Sequence, residues 1–269
     1  MWRRHQRHHG CVDHAGRIAV KALGVIGFHH SGKTTLVVSL VKALTARGLR
    51  VATIKDIHNE QYRVDTQGKN TALHIAAGSV QTFARGLHDS AMIYPHPLSL
   101  KEIMPHLKAD ILIIEGMKDA AVPKIVCAKN SGDIDELLDD SVIAISGVIS
   151  DELKQYQGLD VWSAERDLSR LCDLVLSISF NILPQADPEC CSRCGSTCYQ
   201  MACDIVQGRR ERHECVMDSS NGLILEAGGR EIAIVPFVQD ILRDTILGVL
   251  KNLRDTDISK EIRITFQHD

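Results

Sequence analysis

Several things are scarce in this 269-residue chain, and each scarcity excludes a class of protein. Aromatic residues make up only 4% of the chain, too few for the stacking platforms with which proteins hold single-stranded nucleic acid. Neither charge sign dominates: 31 basic against 34 acidic side chains leave a formal charge of −3, without the basic excess of a nucleic-acid binder. No apolar run approaches the eighteen or so residues of a membrane span; the richest, Ile111 to Ile114, is strand-sized. The basic start, Met1-Trp-Arg-Arg-His-Gln-Arg-His-His, is not followed by an uninterrupted apolar stretch, because Arg17 and Lys21 intervene, so it does not read as an export signal. The expectation is a cytoplasmic protein with neither nucleic acid nor membrane as partner, whose residues 1–19 form a disordered tail and whose functional start lies near Val20.

Cysteine, by contrast, is plentiful. There are nine, six of them (Cys190, Cys191, Cys194, Cys198, Cys203 and Cys215) in one short segment. In reducing cytosol such a group reads as metal ligands or redox chemistry and not as a disulfide framework. Cys11, Cys127 and Cys172 read as tail or core thiols.

From Ala19 to about Phe180, short β-branched runs alternate with helical patterns, which is the mark of a βα-repeating domain. Strands are expected at Lys21 to Ile26, Leu49 to Ile54, Gln81 to Ala84, Ala91 to Tyr94, Ile111 to Ile114, Lys124 to Ala128, Val142 to Ser146 and Leu174 to Ser179. Helices are expected at Thr34 to Arg47, where Leu36, Leu40 and Leu44 recur every four residues, around Thr71 to Ala77, at Asp133 to Leu138 and near Ser163 to Leu171. Ser99-Leu-Lys-Glu102 is a capping-box start for a helix running to Leu107. The two prolines of Leu183-Pro184-Gln185-Ala186-Asp187-Pro188 mark a linker. Beyond Cys215, Leu223 to Glu226 and Glu231 to Val235 read as a hairpin, Asp240 to Leu253 as a helix and Ile262 to Phe266 as a last strand. The expected units are residues 20–182, 183–220 (cysteine-rich) and 221–269 (a small αβ unit). The fold class is α/β, a P-loop NTPase parallel sheet with helices on both faces.

Gly27-Phe-His-His-Ser31-Gly32-Lys33-Thr34-Thr35 fits the phosphate-binding pattern G-x-x-x-x-G-K-[ST], entered by a buried strand and left by an amphipathic helix. Glycines let the backbone wrap a phosphate, the loop amides point inward, and the helix N-terminus adds favourable potential. Lys33 is expected to reach the β- and γ-phosphates and Thr34 to place its hydroxyl on Mg²⁺, while His29 and His30 read as loop-tip side chains. An acid near the metal is also required. Glu115 ends the apolar strand Asp110-Ile-Leu-Ile-Ile-Glu115-Gly116, and carboxyl ends of parallel strands face the ligand crevice, whereas Asp110 at the other end points away. Lys33 and Glu115 are thus the candidate catalytic residues. The loop after the second strand offers Lys55, Asp56, His58 and Asp65, for the metal shell or for a second substrate.

These residues resemble the P-loop GTP-binding proteins of molybdopterin-guanine dinucleotide biosynthesis, the MobB family. The resemblance covers about Lys21 to Ser179 and rests on Gly27 to Thr35, Ile54-Lys55, Val64-Asp65, Gly68-Lys69, Thr71, His74, Ala77-Gly78, Ile114-Glu115-Gly116-Met117-Lys118 and Pro123-Lys124-Ile125. It implies GTP and Mg²⁺ at the P-loop, weak GTP hydrolysis, a homodimer, and a MobA-type guanylyltransferase partner that attaches GMP to molybdopterin. It also implies Lys33, Thr34, Asp65 and Glu115 as nucleotide and metal residues, beside the loop residues Gly27, Ser31, Gly32 and Thr35. This chain departs from the family pattern where Gly147-Val148 replaces an Asp suited to the guanine edge, so the choice of GTP over ATP comes from the resemblance alone.

Cys191-Ser-Arg-Cys194-Gly-Ser-Thr-Cys198 with the remote Cys215 offers four thiolates and resembles a small 4Fe-4S module, its second gap one residue shorter than the commonest form. Structural zinc is the alternative, and Cys190 could replace Cys191. Cys203 reads as packing on the apolar face of a helix from Tyr199 to Val206. Two rival functions follow: an iron–sulfur electron-transfer or metal-delivery module gated by nucleotide, and a purely structural adaptor.

Overall fold

The structure, a computed structural model, describes residues 20–66, 68–185, 194–215, 223, 225–227, 230–232, 236–253, 262 and 264. Its centre is a five-stranded sheet of β1 (Lys21–Gly27), β2 (Val51–Lys55), β5 (Ile111–Glu115), β6 (Lys124–Cys127) and β7 (Val142–Ser146). The order is β2-β5-β1-β6-β7 and every pairing is parallel. Such a sheet needs crossovers, and these place α1 (Lys33–Ala46) on one face, where α5 (Leu168–Ile178) joins it after β7, with α3 (Leu100–Ile103) and α4 (Ser131–Leu137) on the other. Side chains alternate along each strand. Leu23, Val25, Ile111 and Ile113 pack under Leu36, Leu40, Leu44, Leu171 and Val175, whereas Ala22, Leu112 and Ile114 face Leu100 and Val122. Burial on both faces explains why β5 is apolar up to its final residue.

The other described elements are α2 (Asn70–Ala76), the antiparallel pair β3 (Thr82–Arg85) and β4 (Ser90–Ile93), a short hairpin β8 (Gln155–Tyr156) and β9 (Leu159–Asp160), α6 (Cys198–Val206), the hairpin β10 (Leu225–Ala227) and β11 (Arg230–Ile232), and α7 (Pro236–Leu250). The Ser99 capping box forms as its residues predict, Ser99 Oγ accepting from the Glu102 amide and Glu102 accepting from the Ser99 amide. The helix it starts is shorter than expected: it turns to a 3-10 turn at Met104, one residue before Pro105. The expected strand Leu174 to Ser179 is instead the second half of α5. Leu171, Cys172 and Val175 are buried at helical spacing against α1, and that packing outweighs the local β-like run. The hairpin at β8 and β9 was not expected; it turns through Gln157 and Gly158, both at positive φ. The tail to residue 19 and three of the five residues of the expected last strand lie outside the described residues.

Among the described residues, no helix is long and apolar enough to cross a membrane.

Candidate functional site

The phosphate loop leaves the carboxyl end of β1, the middle strand of the sheet, and enters α1 at its N-terminus. Gly27 and Gly32 are fixed by crowding. A Cβ on Gly27 would lie 2.2 Å from the Cys127 carbonyl oxygen, and Gly32, at φ +94°, faces the Gly147 Cα at 3.1 Å. Gly32 occupies the N-cap of α1 and offers no side chain to accept from the first-turn amides. A fourteen-residue helix therefore opens with donors that its own cap leaves unsatisfied, which is the condition for binding an anion.

Lys33 donates to the Phe28 carbonyl at 2.6 Å, folding its ammonium back over the loop. Burial lowers its proton affinity, and the nearby ammonium groups of Lys55 and Lys118 push the same way, against the acidic pull of Glu115. Glu115, buried at the end of β5, is the hub. Its Oε1 accepts from Thr34 Oγ1 at 2.9 Å and from Lys55 Nζ at 2.7 Å. Lys55 and Glu115 are register neighbours on β2 and β5, so the sheet itself sets their pairing. Thr34 and Thr35 stand exposed in the first turn of α1, and Ser31 Oγ is fully buried with no hydrogen-bond partner among the described residues.

The structure thus joins Thr34 directly to Glu115, with Lys33 beside them on the Phe28 carbonyl. Asp65 stays in its own loop, with Oδ1 accepting from the Thr66 amide and Oδ2 buried without a described partner. His58 pairs with Asp56 at 3.0 Å, and His29 and His30 are exposed at the loop tip. Asp110 takes Arg50 in a two-pronged ion pair at the opposite end of the sheet, as its position at the start of the strand predicts. The departure at Gly147 has a steric reason. A Cβ there would lie 2.1 Å from the Ser31 carbonyl oxygen, so the backbone after β7 leans directly on the phosphate loop and leaves no room for an aspartate.

Of the four expected cluster ligands, Cys191 lies outside the described residues. Cys194, Cys198 and Cys215 share one apolar pocket with Ala121, Phe180, Leu183, Met201 and Ala202. Cys194 Sγ donates to the Ser196 carbonyl at 3.3 Å; burial raises its thiol pKa, but the contacts with Ser196 outweigh that and bring it down overall. Among the described residues no three His, Cys, Asp or Glu side chains are arranged to hold a metal ion, so the arrangement lends neither a 4Fe-4S cluster nor zinc any support. Cys203 is buried on α6 and Cys127 and Cys172 are buried core thiols, as expected; burial pushes the Cys127 thiol up to about 12.

Sequence reasoning noted one residue outside the P-loop only as part of the motif Pro123-Lys124-Ile125 and missed its burial. Lys124, completely buried at the start of β6, donates to Ser141 Oγ at 3.0 Å and to the hydroxyl of Tyr199 at 2.9 Å. Tyr199 in turn donates to Asp139, and its ring lies 4.1 Å from the Lys124 ammonium. Arg209 adds an ion pair to Asp140 at 2.7 Å. These contacts fasten the cysteine segment to the loop between α4 and β7. Two sequence signals bore on it: its place in Pro123-Lys124-Ile125, and Gly24, whose missing Cβ leaves space for the Lys124 stem at 3.1 Å.

The family model described as molybdopterin guanine dinucleotide synthesis protein B, MobB, matches residues 22–151. A molybdopterin-guanine dinucleotide biosynthesis adapter protein of Bacillus subtilis is 31% identical over 157 residues, covering 57% of this chain and 90% of that protein. The chain belongs to the MobB family. An adapter protein of Methanocaldococcus jannaschii is 27% identical over 254 residues, 91% of this chain and 97% of its own, so this MobB chain shares nearly its whole length with that relative. The crystal structure of Bacillus subtilis MobB superposes with a TM-score of 0.50 at 29% identity, covering 58% of this chain and 96% of that one.

Proposed function

We propose that this chain binds GTP with Mg²⁺ at its P-loop and acts as the nucleotide-holding adapter for a MobA-type guanylyltransferase, which attaches GMP to molybdopterin. Family membership supports the pathway. The observation that carries the nucleotide site is the hydrogen bond from Thr34 to buried Glu115 at the foot of an uncapped helix N-terminus. A hydroxyl and a carboxylate are hard oxygen donors that suit Mg²⁺, which when bound neutralises phosphate charge. Lys33 would leave the Phe28 carbonyl for the β- and γ-phosphates, and the first-turn amides of α1 would take the phosphate oxygens they face. Hydrolysis is slow in this reading, because Lys33, Thr34 and the loop amides stabilise charge and none is a base, while Glu115 is engaged by Thr34 and Lys55.

Guanine preference follows kinship with the family, since Gly147 removes the acid expected at the base. Homodimer formation follows it too; Val80, Phe83 and Leu87 are exposed on and beside the β3–β4 hairpin, an apolar surface that a second copy would cover. The cysteine segment is given no cofactor in this reading. Competition of GTP and ATP for a fluorescent guanine nucleotide on the purified chain is the test: GTP should displace it at least tenfold more effectively, and equal displacement would remove the guanine assignment.

A further inference from the structure

Two ammonium groups besides Lys33 stand at the mouth of the loop. Lys55 has more than half of its side chain in solvent, and its one hydrogen bond among the described residues is to Glu115. Lys118 is exposed and lies 4.8 Å from the centre of the Phe28 ring, with no ion pair among the described residues. Phe28 belongs to the phosphate loop, so this cation–π contact keeps Lys118 at its rim. Lys55 is held on the same side by strand register, and both ammoniums are close enough to Lys33 to act on its charge. Glu115 meanwhile carries one negative charge shared between Thr34 and Lys55. Without a divalent cation, the Lys55 ammonium neutralises that carboxylate.

We propose that Lys55 and Lys118 form an anion subsite beside the nucleotide, which takes the phosphate monoester of a second ligand, and that Lys55 becomes available to it when the cation accompanying the nucleotide neutralises Glu115. The inference rests on the nucleotide reading above and adds a second binding site to it. Lysine ammoniums are compact point charges that suit a phosphate dianion, and two of them match its charge. Lys55 is well placed for the exchange. It sits on a strand end, so a rotation of its flexible stem suffices, while Glu115 stays fixed by burial and by Thr34.

Calorimetric titration with phenyl phosphate as the probe tests this on the full chain, first loaded with Mg²⁺ and the β,γ-imido analogue of GTP. The wild-type chain should bind the probe in that state and at least tenfold more weakly when the saturating analogue is kept and Mg²⁺ is withheld, so that the phosphate loop itself stays filled. Lys55→Met should lose at least tenfold in probe affinity while keeping the analogue within about threefold, since a hydrogen bond to a charged group is worth about a factor of ten or more. Lys118→Met should weaken the probe in the same direction. Lys55→Arg, which preserves the charge, should retain most of the binding and serves as the control if Lys55→Met folds poorly. Glu115→Gln, which releases Lys55, should let the probe bind the analogue-saturated chain without Mg²⁺. Equal probe affinity in wild type and Lys55→Met would overturn the proposal. So would a parallel loss of the analogue in Lys55→Met, or probe binding that appears with GDP and vanishes with the triphosphate analogue, because both would assign Lys55 to the nucleotide's own terminal phosphate. Failure of the wild-type chain to bind the analogue at all would instead overturn the nucleotide reading, and the cation-dependent release of Lys55 with it.

Discussion

Replacing Tyr199 by Phe removes one hydroxyl and should destabilise the whole chain. That hydroxyl accepts from the buried ammonium of Lys124 at 2.9 Å and donates to Asp139, so its loss leaves a buried charge with Ser141 Oγ as its remaining hydrogen-bond partner. Hydrogen bonds to charged groups contribute about 1.5–3 kcal/mol each, and an acceptor lost from a buried cation is not replaced by water. A loss of about 2 kcal/mol is expected, which for a domain of this size lowers Tm by about 4–8 °C. Lys124→Met is the informative contrast. Its side chain has nearly the same length, fills the space beside Gly24 and brings no charge into the core, so its cost should be below about 1 kcal/mol. In the double variant the phenyl ring no longer faces an unsatisfied ammonium, and the two changes should fall short of additivity by at least about 1 kcal/mol. Urea unfolding of the wild type, both single variants and the double variant measures all four corners. A Tyr199→Phe cost within 0.5 kcal/mol of zero, by the usual scatter of surface substitutions, would refute the view that this network holds the cysteine segment on the core.

Gly147→Ala should distort the phosphate loop, because its Cβ would meet the Ser31 carbonyl at 2.1 Å; nucleotide affinity should fall at least tenfold, whereas Gly48→Ala, at φ +87° but in open space, should leave it unchanged. Acid stability should depend on the Arg50–Asp110 pair. Hydrogen bonds from Arg50 hold the Asp110 carboxyl below its ordinary 3.8, so the folded chain binds fewer protons than the unfolded one near that pH. Its stabilisation is complete above the ordinary value and lost as pH falls through the lowered one, and Asp110→Asn should flatten that part of a stability–pH curve. Iron and sulfide analysis of protein purified without oxygen tests the four-cysteine expectation: a cluster requires stoichiometric iron and visible charge-transfer absorbance, and colourless, iron-free protein rules it out.

The phosphate loop could be read from sequence because all its parts are contiguous and each glycine has a local steric purpose. Glu115 could be read because an apolar strand ending in a carboxylate has one sensible orientation in a parallel sheet. Its partnership with Lys55 could not, since the pair is created by β2–β5 register across sixty residues and by no local pattern. Lys124 was opaque for a related reason. A lysine opening a strand reads as solvent-facing, and only the docking of Tyr199 and the gap at Gly24 turn it inward. The second half of α5 misled because Leu174 to Ser179 alternates like a strand, whereas the decisive contacts, Leu171 and Val175 on α1, are tertiary.

The central claim, that Lys33, Thr34 and Glu115 form one Mg²⁺-dependent nucleotide site, is tested most directly by the affinity of the purified chain for a fluorescent GTP analogue, measured with and without Mg²⁺ in the wild type and in Lys33→Ala. Binding should require Mg²⁺ for full strength and fall at least a hundredfold in Lys33→Ala, with the thermal transition unchanged. Equal affinity in the two proteins, or affinity indifferent to Mg²⁺, would contradict the account.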